Sequence, residues 1–284
     1  MAVQFSQTLT RRVFGFADQR RFFSWVGVVL SGSAVSVCLL TFLSSAVVGQ
    51  ERNGQTTSNA LLTPSDDLLR QASRERWSQD VERLRQLDDL ETYPDNAVLF
   101  IGSSSIRLWD NIQEDLAPII PIRRGFGGAK SVDLAVFSAE LMQSHRYSAL
   151  VVFVANDIAG EADKVGQDPE KVVAWLKEVW LVSRQHQPNA PLLLIEITPT
   201  ASRRHVWEQQ RELNHRLRNW TLQEPNVYFL PTAEYFLDAQ DEVRHELFVE
   251  DRLHLNREGY RVWGSLIRRR LKELLPGNPA STGK

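Results

Sequence analysis

Apolar residues in this chain follow two alternating spacings. Strand-like apolar runs fall near residues 97–102, 119–122, 149–154, 191–197 and 227–230, broken by a charge only at Glu196, and the stretches between or after them carry the three- and four-residue period of helices. Short runs without polar interruption fit strands buried on both faces, as in a parallel sheet. Asp168-Pro169 marks one helix start: the aspartate can accept from first-turn amides, and proline there forfeits an N–H that would have no partner anyway. Val172, Val173, Leu176, Val179 and Trp180 then supply its buried stripe. Asn256 opens the last helix, whose Tyr260, Trp263, Leu266, Ile267 and Leu271 keep the same period. Alternation of this kind predicts an α/β domain over residues 95–275, with helices on both faces of a parallel sheet.

Upstream, Leu69, Trp77, Val81, Leu84 and Leu87 predict an amphipathic helix beginning near Leu68 and leading into the domain by residue 94. Residues 50–67 are polar, with Asn, Gln, Thr, Ser and Pro, and read as a linker. The last residues, 276–284, are expected to form a flexible tail. No internal repeat is visible.

The N-terminus is patterned differently. Residues 1–25 carry Arg11, Arg12, Arg20 and Arg21 against the single acid Asp18, and the 23 residues from Val26 to Val48 carry no charge. A basic flank followed by an apolar core is the pattern of an export signal. The run is also long enough to cross a bilayer, with the arginines on the cytoplasmic side. Small residues Ala46, Val47 and Gly49 offer a cleavage pattern before Gln50, so a cleaved signal peptide and a retained anchor both fit residues 1–49. Export is expected, to the periplasm, the exterior or an outward-facing membrane tether.

Composition narrows the function classes. The chain has 284 residues, 43% hydrophobic and 24% charged, with a formal net charge of −2. That balance gives no basic footprint for nucleic acid. With 4 of 33 basic and 1 of 35 acidic residues lying in positions 1–49, the remainder would carry −5, so membrane association is expected only through the N-terminal segment. The single cysteine, Cys38, excludes an internal disulfide framework and a cysteine-rich zinc site. None of the six histidines shows a recognised zinc spacing, and neither metal nor cofactor is expected.

The candidate chemistry lies at the strand ends, where open α/β sheets place their ligands. Gly102-Ser103-Ser104-Ser105 follows the first strand, with Gly102 permitting a turn that a Cβ would resist. Arg124-Gly125-Phe126-Gly127-Gly128 follows the second; its glycines let the backbone approach a ligand, though the spacing is not that of a dinucleotide site. Val154-Ala155-Asn156-Asp157 ends the third, where an asparagine can donate its amide into the crevice or simply make a turn. Finally, Asp251-Arg252-Leu253-His254 sets a carboxylate beside an imidazole, an arrangement that holds one ring nitrogen protonated and leaves the other as a base. Each piece alone is equally well an ordinary loop, turn or surface ion pair.

Together, and in this order, the serine, glycine, asparagine and Asp-x-x-His pieces resemble the SGNH (or GDSL) hydrolase family over about residues 95–275. The resemblance implies a three-layer α/β/α domain with a five-stranded, flavodoxin-like parallel sheet in the order 2-1-3-4-5. It implies Ser104 as nucleophile, His254 as general base and Asp251 as the acid that orients it. The amides of Ser104 and Gly128 and the side chain of Asn156 would form the oxyanion hole. Two positions depart from the pattern: the usual Gly-Asp-Ser reads Gly102-Ser103-Ser104, and the glycine often found two before the asparagine is Val154. The expected activity is hydrolysis of small-molecule or glycan esters through an acyl-enzyme. An acyltransferase with the same site and a non-catalytic carbohydrate-binding domain are the alternatives. Trp109, Trp175, Trp180, Trp207, Trp220 and Trp263 are candidates for a sugar-stacking platform, though several fall on helical stripes and read as core. Oligomeric state is not legible.

Overall fold

A computed structural model describes residues 64–160 and 166–275. The expected export segment, most of the linker and the tail lie outside the described residues. Five strands form one parallel sheet: β1 (Val98–Gly102), β2 (Pro121–Gly125), β3 (Ala149–Phe153), β4 (Leu192–Ile195) and β5 (Val227–Leu230), in the order β2-β1-β3-β4-β5. The helices are α1 (Pro64–Asp88), the short α2 (Ser104–Arg107) and α3 (Ile112–Leu116), α4 (Ser131–Met142), α5 (Pro169–His186), α6 (Trp207–Thr221) and α7 (Arg257–Leu274). The flavodoxin-like order expected from the family resemblance is the one observed.

Side-chain alternation on the strands builds the layers. Leu99, Ile101, Leu150, Val152 and Leu194 point to one face and join a core with Trp77 and Val81 of α1 and the apolar stripes of α4, α5 and α6. Val98, Phe100, Val151, Phe153 and Leu193 point to the other and pack against Ile112 and Leu116 of α3 and against α7. β1 is buried at all five positions, which explains why its sequence is apolar throughout rather than alternating. Each such side chain contributes about 1.5–3 kcal/mol relative to exposure. All six tryptophans considered for sugar stacking are buried, at 5% exposure or less; Trp175, Trp180 and Trp220 join the first core, and Trp109 and Trp263 the second.

The helix ends behave as the sequence predicts. Asp168 accepts from the Glu170 amide ahead of Pro169, and Asn256 accepts from Glu258 and Gly259 at the start of α7. Two boundaries differ. α1 begins at Pro64 rather than near Leu68, with Asp66 buried and paired to Lys171 at 2.7 Å. β2 runs Pro121–Gly125 rather than 119–122, so Arg124 and Gly125 lie inside the strand. A fully buried arginine is tolerated there because Asp88, at the end of α1, and Glu91 accept from it at 2.8 and 2.9 Å. That compensation comes from distant residues and leaves no trace in local periodicity.

Register then sets the geometry of the site. Gly102 pairs with Gly125 on one side and Phe153 on the other, so β1, β2 and β3 end level at the point where strand order reverses. In a doubly wound sheet that point opens a crevice.

Candidate active site

Three chain segments leave these strand ends, and a fourth arrives from the β5 side. After Gly102, whose added Cβ would lie 2.2 Å from the Phe153 carbonyl oxygen, the chain turns and Ser104 opens α2. Ser103 is buried at 2%, while Ser104 sits partly open in the first turn, where a helical amide has no intrahelical acceptor. Tyr260 of α7 donates its hydroxyl to the Ser105 carbonyl at 2.9 Å and holds this turn from behind. Trp109 stacks on the Tyr260 ring at 5.4 Å and donates to Asp115, which also binds Arg257. Burial pushes the Tyr260 hydroxyl pKa well above its ordinary value, so it stays a neutral donor.

The acid–histidine segment is a tight loop between Phe248 and Leu255, which pair as an antiparallel bridge. Arg252 takes a left-handed conformation (φ 56°) within it. Asp251 Oδ1 accepts from the Leu253 and His254 amides at 2.8 and 2.9 Å, and its Oδ2 meets His254 Nδ1 at 2.6 Å. His254 Nε2 lies 2.9 Å from Ser104 Oγ. Of the three serines only Ser104 makes this contact among the described residues. Burial acts to raise the Asp251 pKa, but the hydrogen bonds from His254 and Leu253 outweigh it and hold the carboxyl below its ordinary value.

The three glycines at and after the end of β2 do not share one role. Gly125 packs against Ile106, and Gly127, at φ +31°, packs on the Trp77 ring, where a Cβ would come within 2.1 Å. Both serve packing, contrary to a ligand-facing role for the whole stretch. Gly128 alone is open: a Cβ there would meet nothing nearer than Asn156 Nδ2 at 4.0 Å. Asn156 leaves the end of β3, donates Nδ2 to the Ala129 carbonyl at 3.0 Å and accepts at Oδ1 from Arg203 Nη2 at 2.8 Å. Of the sequence-derived set, Ser104, Asn156 and His254 line the crevice; Asp251 reaches it through His254, and Gly128 lies beside Asn156.

Two participants were not foreseen. Arg203 stands on the short turn Ala201–Val206 after β4 and reaches both Asn156 and the Ala155 carbonyl, at 2.8 and 2.9 Å. Its only sequence signal is its place after a strand end, inside a polar loop. Asp157 is fully buried and binds Ser131 at the start of α4, through Oγ at 2.7 Å and the amide at 3.1 Å. Burial dominates there and pushes its pKa up to about 6, against the Ser131 hydrogen bonds that lower it.

The crevice is small. The water-accessible space inside it is about 30 Å³, lined by Ser104, Asn156, Arg203, His254, Phe153 and Phe248 among others. That is space for one or two waters, or for a very short acyl group.

The GDSL-like Lipase/Acylhydrolase family matches residues 101–262. The chain belongs to that family. Its members hydrolyse ester bonds, and the fold agrees with that of solved structures. A Streptococcus pneumonia protein, provisionally named a platelet activating factor, is 17% identical, with a TM-score of 0.61 over 73% of this chain and 98% of that one. A GDSL-like lipase from Bacteroides thetaiotaomicron is 15% identical, with a TM-score of 0.57 over 68% and 97%. A family 3 carbohydrate esterase from Talaromyces cellulolyticus is 14% identical, with a TM-score of 0.50 over 64% and 98%. At these identities the likeness is one of fold, and the family match carries the activity class. No curated protein sequence matches the chain.

Proposed function

We propose that this GDSL-family hydrolase is an exported serine esterase that removes short acyl groups, of acetyl size, through an acyl-enzyme. The observation that carries the reading is the continuous relay from Ser104 Oγ to His254 Nε2 at 2.9 Å and from His254 Nδ1 to Asp251 at 2.6 Å. Ser104 Oγ attacks the ester carbonyl carbon while its proton passes to Nε2. Asp251 keeps Nδ1 protonated and so leaves Nε2 free to accept. The tetrahedral oxyanion is met by the Ser104 and Gly128 amides and by Asn156 Nδ2; losing one such donor typically costs about 3–4 kcal/mol of transition-state stabilisation. His254 then returns the proton to the departing alcohol oxygen, and the acyl group remains on Ser104. Water attacks next, losing its proton to Nε2, and the released serine takes that proton back.

The crevice volume of about 30 Å³ supports the short acyl group. The alcohol side is open to choice: the carbohydrate esterase among the fold neighbours makes acetylated sugars the first class to try. Export rests on the arginine-flanked apolar segment 26–48. A chain-length series of nitrophenyl esters, run beside acetylated glycans, tests the substrate reading. Acetate should be released fastest, with kcat/KM falling about tenfold or more by the octanoate ester, since the extra methylenes find no pocket. A preference for long chains contradicts it. Acetyl transfer to an added alcohol with little free acetate would point to the transferase instead, and no turnover of any ester to a binding domain. Protease added to intact spheroplasts tests export; a protected, full-length cytosolic protein contradicts it.

A further inference from the structure

We infer that Arg203 is a positioning residue of the oxyanion site, fixing and polarising the side-chain amide of Asn156. A carboxamide can sit in two orientations related by a half-turn, which exchange its NH₂ and its oxygen. Only one presents a donor to a developing oxyanion. In this molecule the two neighbours of the Asn156 amide are chemically one-way. The Ala129 carbonyl can only accept, and it takes a hydrogen from Nδ2 at 3.0 Å. A guanidinium can only donate, and Arg203 Nη2 meets Oδ1 at 2.8 Å. Flipping the amide would set two acceptors against each other at Ala129 and two donors against each other at Arg203. The observed orientation is therefore locked from both sides, with the second Nδ2 hydrogen left for the crevice.

Arg203 is itself held in place. Its Nη1 donates to the Ala155 carbonyl at 2.9 Å, so the guanidinium grips two successive residues just beyond β3. The backbone of its turn departs from helical geometry at Arg203 (φ −118°, ψ 17°), and the Ser202 amide donates to the Arg252 carbonyl at 3.2 Å. The turn is thus bonded both to the asparagine arm and to the Asp251–His254 loop. A charged donor on Oδ1 also draws electron density from the amide, and hydrogen bonds in such a chain strengthen one another. The Nδ2 hydrogen then becomes a better donor when negative charge appears on the substrate oxygen.

This inference rests on the serine-esterase reading above, and one set of variants separates the two. Arg203→Met should lower kcat by about 10–50-fold, below the 10²–10³ typical of losing an oxyanion donor outright. KM should stay within about twofold, because the effect belongs to the transition state. In an Asn156→Ala background the same substitution should cost less than about twofold, since its partner is already gone. Arg203→Lys, which keeps a charge and a donor, should recover part of the loss. Melting temperatures measured alongside report folding. Equal losses from Arg203→Met in the two backgrounds, a loss confined to KM, or a lysine no better than methionine would overturn the proposal. If Ser104→Ala retained full activity, the esterase mechanism itself would fall. An inactive Ser104→Ala beside a fully active Arg203→Met would remove the Arg203 inference alone.

Discussion

Asp88–His145 and Asp251–His254 are built from the same two side chains, at 3.0 and 2.6 Å, and their surroundings give them opposite fates. His145 and Asp88 are sealed, at 5% and 8% side-chain exposure, with the Arg124 guanidinium beside them at 2%. His145 Nε2 lies close to Asp88 without the alignment of a hydrogen bond, and burial, more than the attraction of Asp88 offsets, holds its pKa below the ordinary value. Arg124 takes up the acid instead. His254 is aligned on Asp251 through Nδ1, and its other nitrogen reaches a serine in an open crevice. The lesson is that an acid beside a histidine is chemistry only where the second ring nitrogen faces a nucleophile that substrate can reach. Otherwise the pair is part of a buried cluster that docks one element on another, here α1 on β2.

The largest expected effects break the open pair. Ser104→Ala and His254→Ala should each lower kcat/KM by about 10⁴-fold or more with little change in melting temperature. His145→Gln should leave kcat/KM within about twofold. A His145 variant as inactive as His254→Ala would erase the comparison. Next in size is the sealed cluster. Arg124→Met strands Asp88 and Glu91 without their cation and should cost about 3–5 kcal/mol in denaturant unfolding, while kcat of the folded fraction is unchanged. Third comes Asp251→Asn, which should keep the fold but lower kcat by about 10²–10³, because an amide can present its NH₂ to Nδ1 and favour the wrong tautomer.

The smallest effect contrasts two acids of the same region. Asp251 is held below its ordinary pKa by hydrogen bonds, whereas burial raises Asp157 to about 6. Asp157 therefore holds its proton more tightly folded than unfolded. Its contribution is fully present below about pH 4, declines as pH rises toward 6 and stays lost above that, a swing of about 2–3 kcal/mol. The stability difference between wild type and Asp157→Asn should show this decline, since the amide keeps an acceptor for Ser131 and does not titrate. A pH-independent difference would contradict the buried-acid account.

Much of this molecule was legible because its signals are local. The five apolar runs correspond to five strands, and Asp168-Pro169 and Asn256 start the helices they predict, since burial on a strand and capping of a helix depend on neighbours in sequence. The serine, glycine, asparagine and Asp-x-x-His pieces were readable as a set only through family resemblance; each is a common loop by itself. What stayed hidden depends on distant compensation. Arg124 extends β2 because Asp88 and Glu91 come from α1 and the segment after it. Arg203 meets Asn156 across a separation of 47 residues. Asp157 was in view beside Asn156, but nothing local says that it is sealed under the start of α4. The glycines at and after the end of β2 look alike in sequence and differ in backbone conformation and in what a Cβ would strike.

The central claim is that Ser104 is made nucleophilic by His254. Its most direct measurement is fluorophosphonate labelling followed by peptide mapping, in wild type and in His254→Ala. The account predicts a single adduct on Ser104, and no labelling at a comparable rate in the histidine variant. An adduct on Ser103 or Ser105, or equal labelling without His254, would contradict it.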